Sequence, residues 1–253
     1  LEAIEVHGPD FSRPTRDIIE TLARGSTASI TSVMRENGIE NCWMDIKPLI
    51  PGSKIVGPAV TIRTVPGRGD IEPNAHTPGT LYPRHPEEAI DAVQPGDVVV
   101  QDGGPNVRGG IFGDLLTLRL EVRRAAGLVT DMPIRDSPRV RKQPVPIFAR
   151  ATQAPGSHVF NPDFNVPIGC AGVLVFPGDI IVGDDDGVVV IPAHLVGAVI
   201  ENIEMFEDRE DWIRLMLRQG APLQGLYPPN DEMERRFQTW RAGEEAQATT
   251  KRH

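Results

Sequence analysis

The sequence predicts an α/β protein organised around parallel strands, and three observations carry that prediction. Residues 86–131 read in order as a short helix, a buried strand, a glycine-rich loop, an amphipathic helix and a second strand, the pattern of a βαβ crossover. Glycine and proline number 25 and 24 in 253 residues, so short elements joined by tight turns are expected rather than a few long helices. Beyond the crossover, apolar runs bounded by Pro-Gly and Asp-Gly signals add a β-rich part.

The elements follow from local pattern. A helical lead-in at about 15–38 divides into two pieces, Ile18, Ile19 and Leu22 in the first and Ile30, Val33 and Met34 in the second. Arg24-Gly25-Ser26-Thr27 interrupts it with a glycine stop and hydroxyl caps, and Gly38 suits its end. IVGPAVTIRTVPG then alternates Val60 and Ile62 against Thr61 and Arg63, a strand signal. A loop from Pro66 to about Pro86 follows, carrying His76 and His85, which read as solvated loop residues or as part of a lid.

Pro86 opens a helix, and Asp97 to Gln101 forms a buried strand. GDLLTLRLEVRRAAG places Leu115, Leu118, Val122 and Ala125 on one helical face, and LVTD is the next strand. Asp102 and Asp131 are expected at neighbouring carboxyl ends, beside the helix N-terminus at Gly113-Asp114. PVPIFAR, NVPIG, GVLVFPGDIIVG and GVVVIP read as an all-β part. A long helix from about Ala193 buries Leu195, Val199, Ile203, Phe206 and Ile213, and a further helix spans Pro228 to Trp240, with the last residues fraying. The C-terminal helical extension thus covers about 193–240 of a single domain, 1–253, since neither a repeat nor a low-complexity linker divides the chain.

Composition limits the function. Twenty-six basic residues against 35 acidic ones give a net charge of −9, which disfavours sequence-independent nucleic-acid binding. An anionic substrate would need a local positive site. No apolar run approaches the roughly 18–20 residues that cross a bilayer, and the first residues are acidic where a signal peptide is basic; a cytoplasmic protein without membrane partners is expected. Cys42 and Cys170 lack metal-ligand spacing and read as buried hydrophobes. Asp184-Asp185-Asp186-Gly187 reads as a turn between strands, lacking the alternation of a calcium loop. Glu201, Glu204, Glu207, Asp208, Glu210 and Asp211 read as the solvated face of the long helix.

Two features point to chemistry. GGPNVRGGIFGDLL sets a helix N-terminus after a glycine-rich loop, where unpaired N–H groups suit a carboxylate or phosphate. It lacks the Gly-Lys-Ser/Thr of a P-loop and the GxGxxG of a dinucleotide fingerprint. Past the second strand, Arg135 and Asp136 stand adjacent, a fixed cation for a carboxylate or enolate beside a carboxylate for a hard metal. Ser-His-Asp, HExxH and CxxC signatures are missing from the sequence.

GGIFGDLLTLRLEVRRAAGLVTDMPIRD, with GPAVTI, PGDVVVQDG, PVPIFA and NVPIGCAGVLVFPGDIIVGDDDGVVVIP, resembles the RraA-like family over roughly residues 15–210. That family includes 4-hydroxy-4-methyl-2-oxoglutarate aldolase, 4-carboxy-4-hydroxy-2-oxoadipate aldolase and the ribonuclease E regulator RraA. The resemblance implies an α/β/β sandwich of the swivelling-domain type, assembled as a homotrimer or homohexamer with active sites at subunit boundaries. It implies that Asp136 binds a divalent metal, usually magnesium, with manganese or another divalent ion as alternatives, and that Arg135 contacts substrate. The amides of Gly113, Asp114, Leu115 and Leu116 would hold a pyruvyl carboxylate, and Asp114 would place a water for proton transfer. Asp131-Met132-Pro133-Ile134 departs from the family's Asp-Gly, so a different pocket wall is expected.

The expected function is a divalent-metal-dependent lyase that cleaves a C–C bond of a 2-oxo acid through a pyruvate enolate, by retro-aldol reaction or oxaloacetate decarboxylation. An organic cofactor is not required, and Lys47, Lys54, Lys142 and Lys251 lie outside both segments, against a Schiff base. The alternatives are a sugar-acid dehydratase using the same enolate site and a non-catalytic regulator of ribonuclease E. The regulator needs no metal carboxylate.

Overall fold

The computed structural model describes residues 8–67, 86–104 and 107–251. The Pro66 to Pro86 loop with His76 and His85 lies almost wholly outside the described residues, as do Pro105 and Asn106 of the glycine loop. The chain begins with α1 (Arg16–Arg24), α2 (Thr27–Glu36), β1 (Trp43–Met44), β2 (Ile55–Ile62) and β3 (Val65–Pro66). It continues through α3 (Pro86–Ala92), β4 (Val98–Gln101), α4 (Asp114–Val122), β5 (Gly127–Ile134), α5 (Ser137–Val140) and β6 (Ile147–Thr152). The remainder comprises β7 (Val159–Phe160), β8 (Ile168–Cys170), β9 (Val173–Val175), β10 (Ile180–Asp184), β11 (Gly187–Ile191), α6 (Val196–Arg218) and α7 (Asp231–Lys251).

Seven strands form one mixed sheet in the order β1-β11-β10-β2-β4-β5-β6. The pairs β2-β4, β4-β5 and β5-β6 are parallel, so the expected crossover is present and PVPIFAR, assigned above to the all-β part, extends the parallel half. Helices cover one face: α3, α4 and α5 lie over the parallel half, while α1, α2 and α6 lie over β10 and β11. The β8-β9 hairpin covers the other face, packing Ile168, Cys170, Val173 and Val175 onto Ile55, Ala59, Val98, Val100 and Val129. The result is an α/β/β sandwich.

Burial on both faces explains why the alternation in β2 does not separate core from solvent. Val60 and Ile62 enter the helix-side core, whereas Thr61 is fully buried on the hairpin side and donates its hydroxyl to Val166 O at 2.6 Å. A central parallel strand buries both sets of side chains. The lead-in forms as its signals require: the Ser26 hydroxyl accepts from Ser29 N, and Gly38, at φ +79°, lets Ile39 N donate back to Met34 O. Gly25 also permits close packing, because a Cβ there would lie 2.7 Å from Ile203 Cγ1.

Three expectations are corrected. Asp131 does not end its strand, since β5 continues to Ile134 after a register shift between Thr130 and Pro133. The apolar stripe of α4 does not face the core: Leu115, Leu118 and Val122 are 75%, 45% and 62% exposed, and Thr117 and Leu120 are buried instead. The helix can be rotated this way because the Thr117 hydroxyl bonds to Gly113 O at 3.0 Å, so no buried donor is left unmet. Finally, α7 does not stop at Trp240 but runs to Lys251, in keeping with the helix-forming Glu, Ala and Gln of that tail. Its Phe237 packs with Trp212 and Ile213 of α6 in a small separate core. Among the described residues, no helix is long and apolar enough to cross a membrane.

The Asp-rich turn is the two-residue connection of the β10-β11 hairpin, as expected. Each of its first two carboxylates also has a partner: Asp185 accepts from Gly52 N at 2.8 Å, and Asp184 accepts from Thr27 N at 2.9 Å and Thr27 Oγ1 at 2.6 Å. Burial alone would raise the Asp184 pKa, but the Thr27 and Asp186 donors outweigh it and hold the carboxyl below its ordinary value. Asp184→Ala should therefore cost about 1–2 kcal/mol by leaving Thr27 N and Oγ1, at the start of α2, without their acceptor. A depressed carboxylate stabilises the fold above its unfolded pKa of about 4 and loses that contribution as pH falls through the lower native value. Urea melts from pH 7 to pH 2 should show the two proteins converging at the acid end.

Candidate active site

The glycine loop lies along the end of β5. Ile111 N donates to Pro133 O at 3.0 Å, and Arg135 N donates to Phe112 O at 2.8 Å. A third segment joins them, because Gln153 N bonds to Ile134 O at 2.9 Å, Gln153 Oε1 accepts from Gly109 N at 2.7 Å, and Gly110 N donates to Pro155 O at 2.9 Å. Three glycines thereby lie close against Arg135. Added Cβ atoms would stand 2.6 Å from Arg135 N at Gly110, 3.4 Å from Arg135 Cγ at Gly113, and 3.3 Å from Arg135 Nη1 at Gly156.

Asp136 begins α5 in the left-handed region, at φ +55°. Such a conformation costs energy for a non-glycine residue and persists where the surroundings fix it. Here Asp136 O accepts from Arg139 N at 2.9 Å and Val140 N at 3.1 Å. Its carboxylate pairs with Arg135 Nε at 3.2 Å, and both side chains remain partly exposed. At Gly113, an added Cβ would lie 2.6 Å from Asp136 Oδ2, so the pair stands directly against the first turn of α4.

That turn has no side-chain cap, since Gly113 occupies the N-cap position. Its N–H groups and the positive helix end suit an anion. Asp114 Oδ2 accepts from Arg139 Nη1 at 3.1 Å, and Asp114 O accepts from Gln143 Nε2 at 2.9 Å. The structure therefore brings together Gly113, Asp114, Arg135 and Asp136, with Leu115 and Leu116 entering through their backbone while their side chains diverge to solvent and core.

Other candidates go elsewhere. Asp102 accepts from Thr64 N at 2.6 Å and Asp131 from Ala171 N at 3.0 Å, both against the hairpin side of the sheet rather than at Arg135. Burial raises the Asp102 pKa and the Asp131 charge adds to it, partly offset by backbone donors from Thr64 and Gly169 and by Arg63. The Met132 departure does not build a pocket wall: Met132 is fully buried and packs over Gly103, where a Cβ would lie 2.0 Å from its Cγ. On α6, Glu204 pairs with Arg24, Asp208 with Arg241, and Glu210 and Asp211 with Arg214, while Glu207 accepts from Ser26 N. Much of the expected solvated face is thus engaged within the chain. Both cysteines are buried free thiols, raised by desolvation.

Arg139, Gln143, Gln153 and Gly156 are additions that sequence reading missed. Arg139 had a visible signal, one turn beyond Asp136 in IRDSPRVR; Gln153 and Gly156 reach the site through non-local contacts, to Ile134, Gly109 and Arg135, and left none. Among the described residues, no three His, Cys, Asp or Glu side chains converge as a metal cage. A magnesium-type ion, which takes one or two carboxylates and keeps several waters, would have Asp136, now paired with Arg135, as its protein ligand here.

Comparison with known proteins identifies the family to which this fold belongs. The RraA-like family model, described as Aldolase/RraA, matches residues 22–190. The chain belongs to the RraA-like family. A Halalkalibacterium halodurans member, provisionally named 4-hydroxy-4-methyl-2-oxoglutarate aldolase, is 36% identical over 183 residues, covering 72% of this chain and 80% of its own. DlpA of Legionella pneumophila is 29% identical over 82% of this chain, which spans about a third of DlpA's length, 33%. Among solved structures, Streptomyces coelicolor RraAS2, described as an unusual member of the RNase ES inhibitor RraA family, superposes with a TM-score of 0.72 at 32% identity, over 81% of this chain and 98% of that one. The sandwich is thus the RraA-like fold, and Arg135, Asp136 and the α4 turn lie within the family match.

The glycines make this geometry testable. In Gly113→Ala the new methyl meets the end of a short side chain, at an unstrained φ of −117°. Stability should change by less than about 0.5 kcal/mol while the Asp136 carboxylate is displaced. In Gly110→Ala the methyl meets main-chain atoms, Arg135 N at 2.6 Å and Ile134 C at 2.7 Å, and should cost about 2–3 kcal/mol. Urea melts with a crystal structure of the first variant check both, and equal losses would mean that Asp136 cannot yield.

Proposed function

We propose that this RraA-like protein is a divalent-metal-dependent lyase that cleaves a C–C bond of a 2-oxo acid to release pyruvate. The substrates proposed are 4-hydroxy-4-methyl-2-oxoglutarate and related 4-hydroxy acids, with oxaloacetate decarboxylation by the same site. One observation carries the reading: Arg135, Asp136 and the uncapped start of α4 at Gly113 lie against one another. A divalent ion on Asp136 would supply Lewis-acid polarisation of the 2-keto oxygen. The amides from Gly113 to Leu116 bind the pyruvyl carboxylate. Arg135 donates to the keto oxygen as it gains charge, its orientation fixed by the three glycines and Asp136.

The proton balance assigns Asp114. In the retro-aldol direction the C4 hydroxyl passes its proton to water, the C3–C4 bond breaks as C4 becomes a carbonyl, its electron pair passes to C3 and delocalises as an enolate, and C3 then takes one proton from water. In decarboxylation carbon dioxide leaves instead, and C3 is again protonated. Asp114 lies beside the carboxylate-binding turn and orients the water that serves C3. For assembly, we assign the exposed stripe Leu115, Leu118 and Val122 to a second copy of the chain, in a trimer or hexamer whose boundary runs past the site.

The regulator reading has its own support in the likeness to RraAS2, but it gives no task to an Arg-Asp pair packed against glycines. Pyruvate release from 4-hydroxy-2-oxo acids and oxaloacetate, with magnesium and after chelation, separates the two. Asp136→Ala should lose turnover with the fold intact. Arg135→Ala should lose both kcat and affinity, and Arg135→Lys should recover only part, because a point charge does not reproduce a planar fork. Equal magnesium-dependent rates in all these proteins would return the pair to a surface salt bridge.

Oxalate, a planar dianion with the shape of the enolate, should compete with substrate and bind only when magnesium is present. Calorimetry showing equal oxalate affinity in metal-free protein would remove the ion from the anion site.

A further inference from the structure

We propose that Arg139 is a positioning residue for Asp114, holding the carboxylate that serves proton transfer in the orientation the reaction needs. This inference rests on the lyase reading given above. Three observations support it. Arg139 Nη1 reaches Asp114 Oδ2 at 3.1 Å, across 25 residues of sequence. Gln143 Nε2 holds the main-chain oxygen of that same Asp114 at 2.9 Å. Both contacts come from the segment that starts with Arg135 and Asp136, and the Arg139 amide is itself bonded to Asp136 O at 2.9 Å.

The short helix α5 is therefore a bracket between two carboxylates. At its first end Asp136 stands left-handed against Gly113; one turn later Arg139 holds the carboxylate of Asp114, the residue after that glycine. Each carboxylate has its own guanidinium, Arg135 on Asp136 and Arg139 on Asp114. Without Arg139 the Asp114 side chain is free to rotate, and that rotation would carry its water out of line with C3.

A surface salt bridge is the competing explanation, and the exposures speak to it. The Arg139 side chain is 78% exposed and that of Asp114 only 21%, so the arginine lies over the carboxylate from the rim. Exposed pairs of this kind contribute little to stability. The value of the contact is then orientation, and removing it should leave the fold in place.

The test is a double-mutant cycle in the full-length chain with magnesium, with two readouts: pyruvate release, and exchange of the pyruvate methyl hydrogens with deuterated water, which follows proton transfer at C3 without C–C cleavage. Arg139→Ala should lower kcat and the exchange rate by about ten- to a hundredfold, with KM changed less than about twofold and the melting temperature within about 2 °C of the parent. Arg139→Lys should restore part of both rates. In an Asp114→Asn background, Arg139→Ala should have no further effect on exchange, because the group it positions is gone. A loss in KM alone, or an equal loss in both backgrounds, would show that Arg139 touches substrate or acts elsewhere. An unchanged exchange rate in Arg139→Ala would reduce the contact to a surface pair. A parent protein inactive in both assays would overturn the lyase reading and this inference with it, whereas an active parent with an indifferent Arg139 overturns the inference alone.

Discussion

Two main-chain hydrogen bonds, from Ile111 N to Pro133 O and from Arg135 N to Phe112 O, seat the glycine loop on the end of β5, and the site is built outward from that contact. Its closeness excludes side chains, since even a methyl at Gly110 would meet Arg135 N at 2.6 Å. Because the loop backbone lies against Arg135, the next residues bring the α4 N-terminus against Asp136. A single approach of two chain segments thus sets a cation, a carboxylate and a row of N–H donors side by side. Gln153 ties the loop from the far side through Gly109, so β6 and the residues after it also depend on this seat.

The sheet supplies the rigidity on which that seat relies. Successive residues of β2, β4, β10 and β11 enter opposite cores, one under helices and one under the β8-β9 hairpin. A register slip would exchange the two sets, and with Thr61, Gln101 and Thr130 all fully buried it would strand polar groups in the wrong core. Parallel pairing of β4 with β5 therefore fixes where each strand ends to within a residue. The extra residue that β5 carries between Thr130 and Pro133 then sets it back one position against β6, which fixes the level at which Arg135 leaves the sheet.

Most of this was legible where the pattern was local. The lead-in helices, the crossover and the Asp-rich hairpin turn were marked by glycine stops, hydroxyl caps and Pro-Gly signals, and Gly113, Asp114, Arg135 and Asp136 could be joined because a crossover places both segments over one sheet edge. Contacts closed by tertiary packing were not legible. Nothing in the periodicity of α4 shows that Thr117 faces inward, because that orientation is permitted by a bond to Gly113 O. The Met132 departure looked like a change in the pocket and is a repacking of the interior, accommodated by the missing side chain at Gly103, 29 residues earlier. The loop that brings Gln153 and Gly156 to Arg135 has no sequence periodicity at all, and its place is set by hydrogen bonds to other segments.

The inverted face of α4 links the fold to assembly. A helix that buries a threonine and exposes Leu115, Leu118 and Val122 discards apolar burial worth about 1.5–3 kcal/mol per large side chain, which a lone subunit does not recover. The rotation has a local cause as well, because it is the one that points the first turn of α4 at Asp136: turning the stripe inward by about 100° per residue would carry Asp114 away from Arg139 and Gln143. The orientation that brings the first turn of α4 to Asp136 is thus the one that leaves an apolar surface beside it. Covering that surface with another copy would recover the lost burial and narrow the site together, so that in this arrangement the incentive to associate and the geometry of the site arise from the same rotation of one helix.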